Sequence, residues 1–209
     1  MLTSADTFID DFEETAGLLP GWYSFNDIPG MPDMFKLAIA AGGAAMTAHA
    51  GHYAGMGART PTAGGYGVGA TFNLVIDPGA GLYCVDVSAF DGIAFWAKAA
   101  TDMSKISLNF AVPATNKATM DMMGRPNGGD CTVNCYNHPR VTFTLTTSWA
   151  QYTAKFADAA GGSAKVTNNL IQEIVFISAD TNWDFSIDEI AYYKGTPPLG
   201  AVGHGDGGM

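Results

Sequence analysis

The sequence predicts an all-β protein, a two-sheet antiparallel β-sandwich. Three observations carry that prediction. Apolar residues recur at every second position in a series of short runs, the period of half-buried strands. The 26 glycines and 10 prolines gather largely between those runs, where turns belong. No long run keeps a helical period, so about eight to ten closely spaced strands favour a sandwich over a parallel sheet. At 209 residues, 47% of them hydrophobic, the chain is long enough to bury roughly 70% of its unfolded surface in one core. One domain is expected over residues 1–194, with the Gly- and Pro-rich residues 195–209 as a tail or linker.

The elements follow in chain order. Residues 8–14, Phe-Ile-Asp-Asp-Phe-Glu-Glu, read as a first strand rich in carboxylates. Residues 21–27 form a strand with aromatics on alternate positions, and a Pro/Gly loop follows. Residues 38–48 have the composition of a weak helix, yet Gly42 and Gly43 interrupt it, so an extended segment fits equally. Residues 66–75 read as a strand whose glycines admit a neighbouring backbone, closed by the Asp77-Pro78-Gly79 turn. In the next strand Ile93, Phe95 and Ala97 share one face, with Trp96 and Lys98 on the other. Ile106, Leu108, Phe110 and Val112 then alternate with Ser107, Asn109 and Ala111. Residues 113–138 form a long loop, and long ordered loops tend to be functional or stapled. Val141, Phe143 and Leu145 mark another strand, as do Trp149, Tyr152 and Phe156. Ile171, Ile174 and Phe176 lead into the closing strand, residues 183–193.

That closing strand organises the chain. Phe185 and Ile187 alternate with acidic and polar residues, but Ile190 and Tyr192 fall on the opposite parity. A one-residue slip would turn the core face to solvent, so a bulge is expected at Asp188 and Glu189. Such a bulge aims a carboxylate sideways, where a hard cation could sit. Acidic strands at both chain ends are expected to meet in space.

Ten Lys and Arg against 20 Asp and Glu give a net charge of −10, which disfavours nucleic acid and anionic membranes and suits cations or neutral ligands. No run of 18 apolar residues exists, so no membrane insertion is expected. Cys131 and Cys135 lie in loop composition, and a small disulfide there implies an oxidising compartment. The competing reading is a metal site with His138 and His204, but its second pair of ligands is missing. Cys84 is the odd thiol, expected to be buried.

Several segments, taken in order, resemble one family. They are Asp10-Asp11-Phe12-Glu13, then Gly21-Trp22-Tyr23 with Asn26-Asp27, and residues 87–98. The Gly-Gly-Asp-Cys loop, residues 147–152 and residues 185–190 complete the series. Together they resemble the galactose-binding-like, jelly-roll carbohydrate-binding modules, including family 11, over roughly residues 8–193. The resemblance implies a jelly-roll sandwich exported to the cell surface or medium. It also implies a polysaccharide or other glycan as partner and structural calcium (Ca2+) near the paired termini. Carried over by position, the metal set is Asp11, Glu13 and Asp188. Residues 30–57 do not map onto the family pattern.

A sugar site needs an aromatic face beside fixed polar groups. Trp96 is the expected platform, with Asn109 on the non-core face of the neighbouring strand and Tyr136, His138 and Arg140 closing the long loop. Asp184, Asp188 and Glu189 suggest a glycosidase carboxylate pair, but the bulge spoils their spacing, so no catalytic residue is expected. His49, His52, His138 and His204 read as surface residues without clear partners. A third reading is a self-associating structural surface protein, with Met120, Met122 and Met123 as its adhesive patch.

Overall fold

A computed structural model of the protein describes residues 8–13, 19, 21–28, 35–59, 67–74, 84–102, 104–120, 126–166 and 170–197. Two antiparallel sheets form a sandwich. The first runs β11 (Ala150–Lys155), β6 (Gly92–Ala99), β13 (Asn182–Tyr193), β4 (His49–Met56), β3 (Ala38–Ala41), with β1 (Phe8–Asp10) also on β13. The second runs β10 (Arg140–Thr144), β7 (Lys105–Ala111), β12 (Glu173–Ser178), β5 (Val68–Asn73), β2 (Trp22–Phe25). Inside the long loop, β8 (Ala118–Met120) and β9 (Pro126–Gly128) pair as a small separate ladder, preceded by a 3-10 turn at Pro113–Thr115. Among the described residues no helix is long and apolar enough to cross a membrane.

The chain ends do meet: β1 lies antiparallel to β13, Phe8 opposite Ala191 and Asp10 opposite Ile190. The register between β13 and β6 shifts between Asp188 and Ala191, and Glu189 takes φ +49°. This bulge lets Phe185 and Ile187, then Ile190 and Tyr192, all stay buried despite their opposite parity. The helical option for residues 38–48 gives way to strand β3 and a turn-rich loop, because Gly42 adopts φ +88°. That segment and β4, in the stretch the family pattern left unmapped, build the far edge of the first sheet.

The core lies between the sheets. Phe95 of β6 meets Phe176 of β12 edge to face at 5.1 Å between centroids, and both are fully buried. Each such side chain contributes roughly 1.5–3 kcal/mol by leaving water. Phe12, just after β1, packs on Trp22 of β2 and is also fully buried. It fits because Gly51 lies beneath it: a Cβ at Gly51 would run into the Phe12 ring. The terminal strand is thus sealed to both sheets.

Candidate ligand cleft

Strand alternation decides what the second sheet shows to solvent. Ile174 and Phe176 of β12 point into the core, so Glu173, Val175 and Ile177 point outward. Backbone register aligns Arg140, Asn109, Val175, Thr71 and Tyr23 in one row across the outer face. Thr142, Ser107, Ile177, Gly69 and Phe25 form the next row. Over this face fold the described parts of the long loop, residues 113–120 and 126–139, and between them lies a cleft of about 790 Å³. Tyr23, Phe25, Thr71, Glu173, Val175 and Ile177 line it from the sheet, and Asn116, Lys117, Gly128, Cys135, Tyr136, Asn137 and His138 from the loop.

The loop is held by specific bonds. The Tyr136 N–H donates to the Thr115 carbonyl at 2.7 Å, and the Cys131 N–H to the Asn116 carbonyl at 3.0 Å. Cys131 and Cys135 are disulfide-bonded. Asn116 donates its amide to Gln172 at 2.9 Å, and Gln172 in turn to the Gly128 carbonyl at 2.8 Å, which fastens the loop to the segment entering β12. The Thr115 hydroxyl donates to the Val112 carbonyl at 3.0 Å. His138 Nδ1 lies 2.7 Å from that same hydroxyl oxygen, so the histidine is the donor there and its Nε2 is left as an acceptor.

Electrostatically the walls are mild. Burial, aided by the Arg140 charge, lowers the His138 pKa to about 4, so the ring is neutral at physiological pH. The Tyr23 hydroxyl donates to Glu173 at 3.4 Å. Burial raises the Glu173 carboxyl above its usual range, and burial together with the Glu173 charge raises the Tyr23 phenol. Tyr23 therefore stays a neutral donor, with its tip against Glu173 while the residue as a whole is 45% exposed. Tyr136, on the loop, is 64% exposed. The cleft thus combines two accessible aromatic rings with hydroxyl, amide, imidazole and carboxyl groups held in place.

The sequence-derived residues divide between the two sheets. Tyr136 and His138 line the cleft, and Arg140 and Asn109 occupy the same face at its margin. The Asn109 side chain is buried and its amide oxygen accepts no hydrogen bond from the protein. Trp96 does not join them. Strands β6 and β7 belong to different sheets, so Asn109 is not on a strand beside that of Trp96 as expected. Trp96 instead faces outward from the first sheet, opposite Asp188 and Gln151, with its indole N–H buried. Tyr23 and Glu173 were missed, although the outward parity of Tyr23 and Phe25 beside the inward Trp22 is a readable signal. The histidines are better partnered than expected: His138 is buried, His52 pairs with Asp184 at 2.8 Å, and His49 Nδ1 lies 3.3 Å from Glu13. His204, Met122 and Met123 lie outside the described residues. Cys84 is half-buried, and burial raises its thiol pKa.

The acidic residues gather at another corner, where β1 meets the bulge of β13. Asp188 is fully buried. Its carboxylate accepts the Ala44 N–H at 2.7 Å, the Thr47 hydroxyl at 2.8 Å and the Glu189 N–H at 2.8 Å. Burial nonetheless raises its pKa to about 6 against those donors, with the Glu13 charge adding to the rise. Asp11 accepts the Glu13 N–H at 3.1 Å, and Glu13 accepts the His49 N–H at 2.7 Å. Among the described residues, no three acidic, His or Cys side chains converge as they would around a metal ion. Asp184, Asp188 and Glu189 lie on the first sheet, remote from the cleft on the second.

No protein-family model matches the chain, and no curated protein matches it in sequence. Solved structures do match in fold. A family 11 carbohydrate-binding module from Clostridium thermocellum, in complex with a β-1,3-1,4-mixed-linked tetrasaccharide, superposes with a TM-score of 0.56 at 18% identity, covering 90% of this chain and 95% of that one. A family 30 carbohydrate-binding module gives 0.55 at 12%, covering 94% and 92%. An exo-β-agarase gives 0.57 at 12%, but 91% of this chain matches only 25% of that one. At these identities the likeness is one of fold.

Proposed function

We propose that the protein is a non-catalytic carbohydrate-binding module that takes a segment of polysaccharide in the cleft on the second sheet. The observation that carries this reading is the pairing, in one cleft, of the accessible rings of Tyr23 and Tyr136 with fixed polar groups around them. A pyranose ring presents an apolar face to an aromatic and a rim of hydroxyls to hydrogen-bond partners. Thr71, Asn137, Glu173 and the free Nε2 of His138 supply those partners. No bond is made or broken, and no carboxylate pair of the kind glycoside hydrolysis uses lines the cleft among the described residues. The modules sharing the fold, one of them holding a mixed-linked tetrasaccharide, support the same reading. The disulfide supports an exported protein.

Affinity gels and calorimetry with mixed-linked β-glucan, xylan, agarose and chitosan test the proposal. Binding to one of them, weakened about tenfold or more by Tyr23→Ala and unchanged by Trp96→Ala, is the expected outcome. A folded protein that binds none of these, and instead assembles as its concentration rises, would replace the module with the self-associating surface protein. The proposal extends to a calcium ion that neutralises the charge around Asp188, Asp11 and Glu13. Calcium should then raise the melting temperature by several degrees over a chelator, and Asp188→Asn should abolish the difference. Equal melting temperatures with and without calcium would withdraw it.

A further inference from the structure

The loop wall of the cleft contains a backbone conformation that its sequence would not choose. Asn134 and Tyr136 adopt φ +53° and +66°, on either side of Cys135. Asn tolerates the left-handed region, whereas a tyrosine there persists only when its surroundings enforce it. Packing does not enforce it. Tyr136 is 64% exposed, and its ring meets the edge of His138 with centroids 6.3 Å apart. What encloses the residue is covalent and backbone-based. The disulfide closes a short ring between Cys131 and Cys135, and the N–H groups on its two sides dock on consecutive carbonyls, Asn116 and Thr115. Thr115 also holds His138 by its side chain, so one residue anchors both members of the wall. A Cβ at Gly129 would collide with the Asn116 and Pro113 carbonyls, so the approach to the ring is equally confined.

We propose that the Cys131–Cys135 disulfide is a positioning element of the ligand site, holding Tyr136 in its left-handed conformation as a preformed aromatic platform. This rests on the cleft being a glycan site, as proposed above. A disulfide spanning so few residues restricts the unfolded chain little, so its removal costs modest stability. Its effect falls on affinity instead, because an exposed ring freed from its backbone pose must be ordered again at each binding event.

The test uses Cys131→Ser/Cys135→Ser, Tyr136→Ala, the triple variant and Tyr23→Ala, with the mixed-linked β-1,3-1,4-tetrasaccharide as probe. Expected is an affinity loss of about tenfold for the cysteine variant and for Tyr136→Ala alike, and no further loss when the two are combined. The proposal falls if the cysteine variant binds within about twofold of the parent, if its loss persists unchanged in the Tyr136→Ala background, or if Tyr136→Ala alone binds normally. Amide exchange separates this from failure of the glycan reading. The Tyr136 N–H, donated to Thr115, should exchange about tenfold faster without the disulfide whether or not sugar binds, and equal exchange overturns the proposal. If exchange quickens but neither this probe nor any polysaccharide binds, the disulfide's hold on the Tyr136 backbone stands, while the glycan reading, and with it the role in a ligand site, is lost. If the probe binds and Tyr23→Ala weakens it, the glycan reading stands and the cysteine comparison judges the positioning role by itself.

Discussion

At the scale of single residues, the informative groups are polar and buried, and each ties two distant segments. Asp27 is buried and accepts the N–H of Arg59 and of Gly67, both at 3.0 Å, joining the exit of β2 to the entry of β5. Replacing it with Ala strands two inward-facing donors, so Asp27→Ala should cost about 1–3 kcal/mol in urea unfolding. His138 carries a pH signature. Its folded pKa, about 4, lies below the ordinary 6.5, so its contribution is intact above pH 6.5 and is lost as the pH falls toward 4. The deficit from this group is on the order of 3 kcal/mol. Urea midpoints at pH 7, 5 and 4 should fall less steeply for His138→Asn than for the parent, and parallel curves would refute the assignment. Sequence made part of this legible. Loop composition and spacing gave the Cys131–Cys135 pair, and the loop residues Tyr136 and His138 were marked. Thr115 was not, because a hydroxyl whose link to the cleft is a histidine 23 positions later leaves no local pattern.

At the scale of elements, alternation was a sound guide wherever a strand has one dry and one wet face. It gave β6, β7, β10 and the bulge in β13, where a parity break has a single physical remedy. It was weaker for β12, whose Ile174, Val175, Phe176 and Ile177 are apolar on both faces, since one meets the core and the other the floor of the cleft. It left β3 undecided, since three alanines around one Ile carry no periodic signal, and it failed for β4, where Ala and Gly blur the period, and for the β8–β9 ladder inside the long loop. The joining of β1 to the sandwich yields a direct test. Gly51 leaves the space that Phe12 fills, so Gly51→Ala must displace that ring or shift β4. A loss of about 1–3 kcal/mol is expected, and it should shrink in a Phe12→Ala background where the collision is gone. An undiminished loss would mean that β4 itself, rather than the docking of the first strand, bears the strain.

At the scale of the whole molecule, alternation sorts side chains into inward and outward but never says which sheet a strand joins. Trp96 and Asn109 are both outward, in consecutive strands, yet the chain crosses the sandwich between them and they face opposite sides of the protein. That crossing also explains why the two sheets should behave as one cooperative unit. Consecutive strands β6 and β7 are divided between them, and the aromatic core bridges the gap through Phe95 and Phe176. Neither sheet can keep its inner face dry alone. Phe95→Ala and Phe176→Ala should each cost about 3–5 kcal/mol, with a coupling of about 1 kcal/mol between them from the edge-to-face pair. Denaturation followed by far-ultraviolet circular dichroism and by tryptophan fluorescence should give coincident midpoints for the parent and both variants. Because Phe176 sits directly behind Val175 and Ile177, its loss should also loosen the cleft floor, whereas Phe95→Ala acts on it from the opposite sheet, through Phe176 and Phe143. At equal stability cost, then, ligand affinity should fall further for Phe176→Ala than for Phe95→Ala. Separate transitions for the two probes, or equal affinity losses, would instead describe two sheets that unfold independently over a core that does not shape the site.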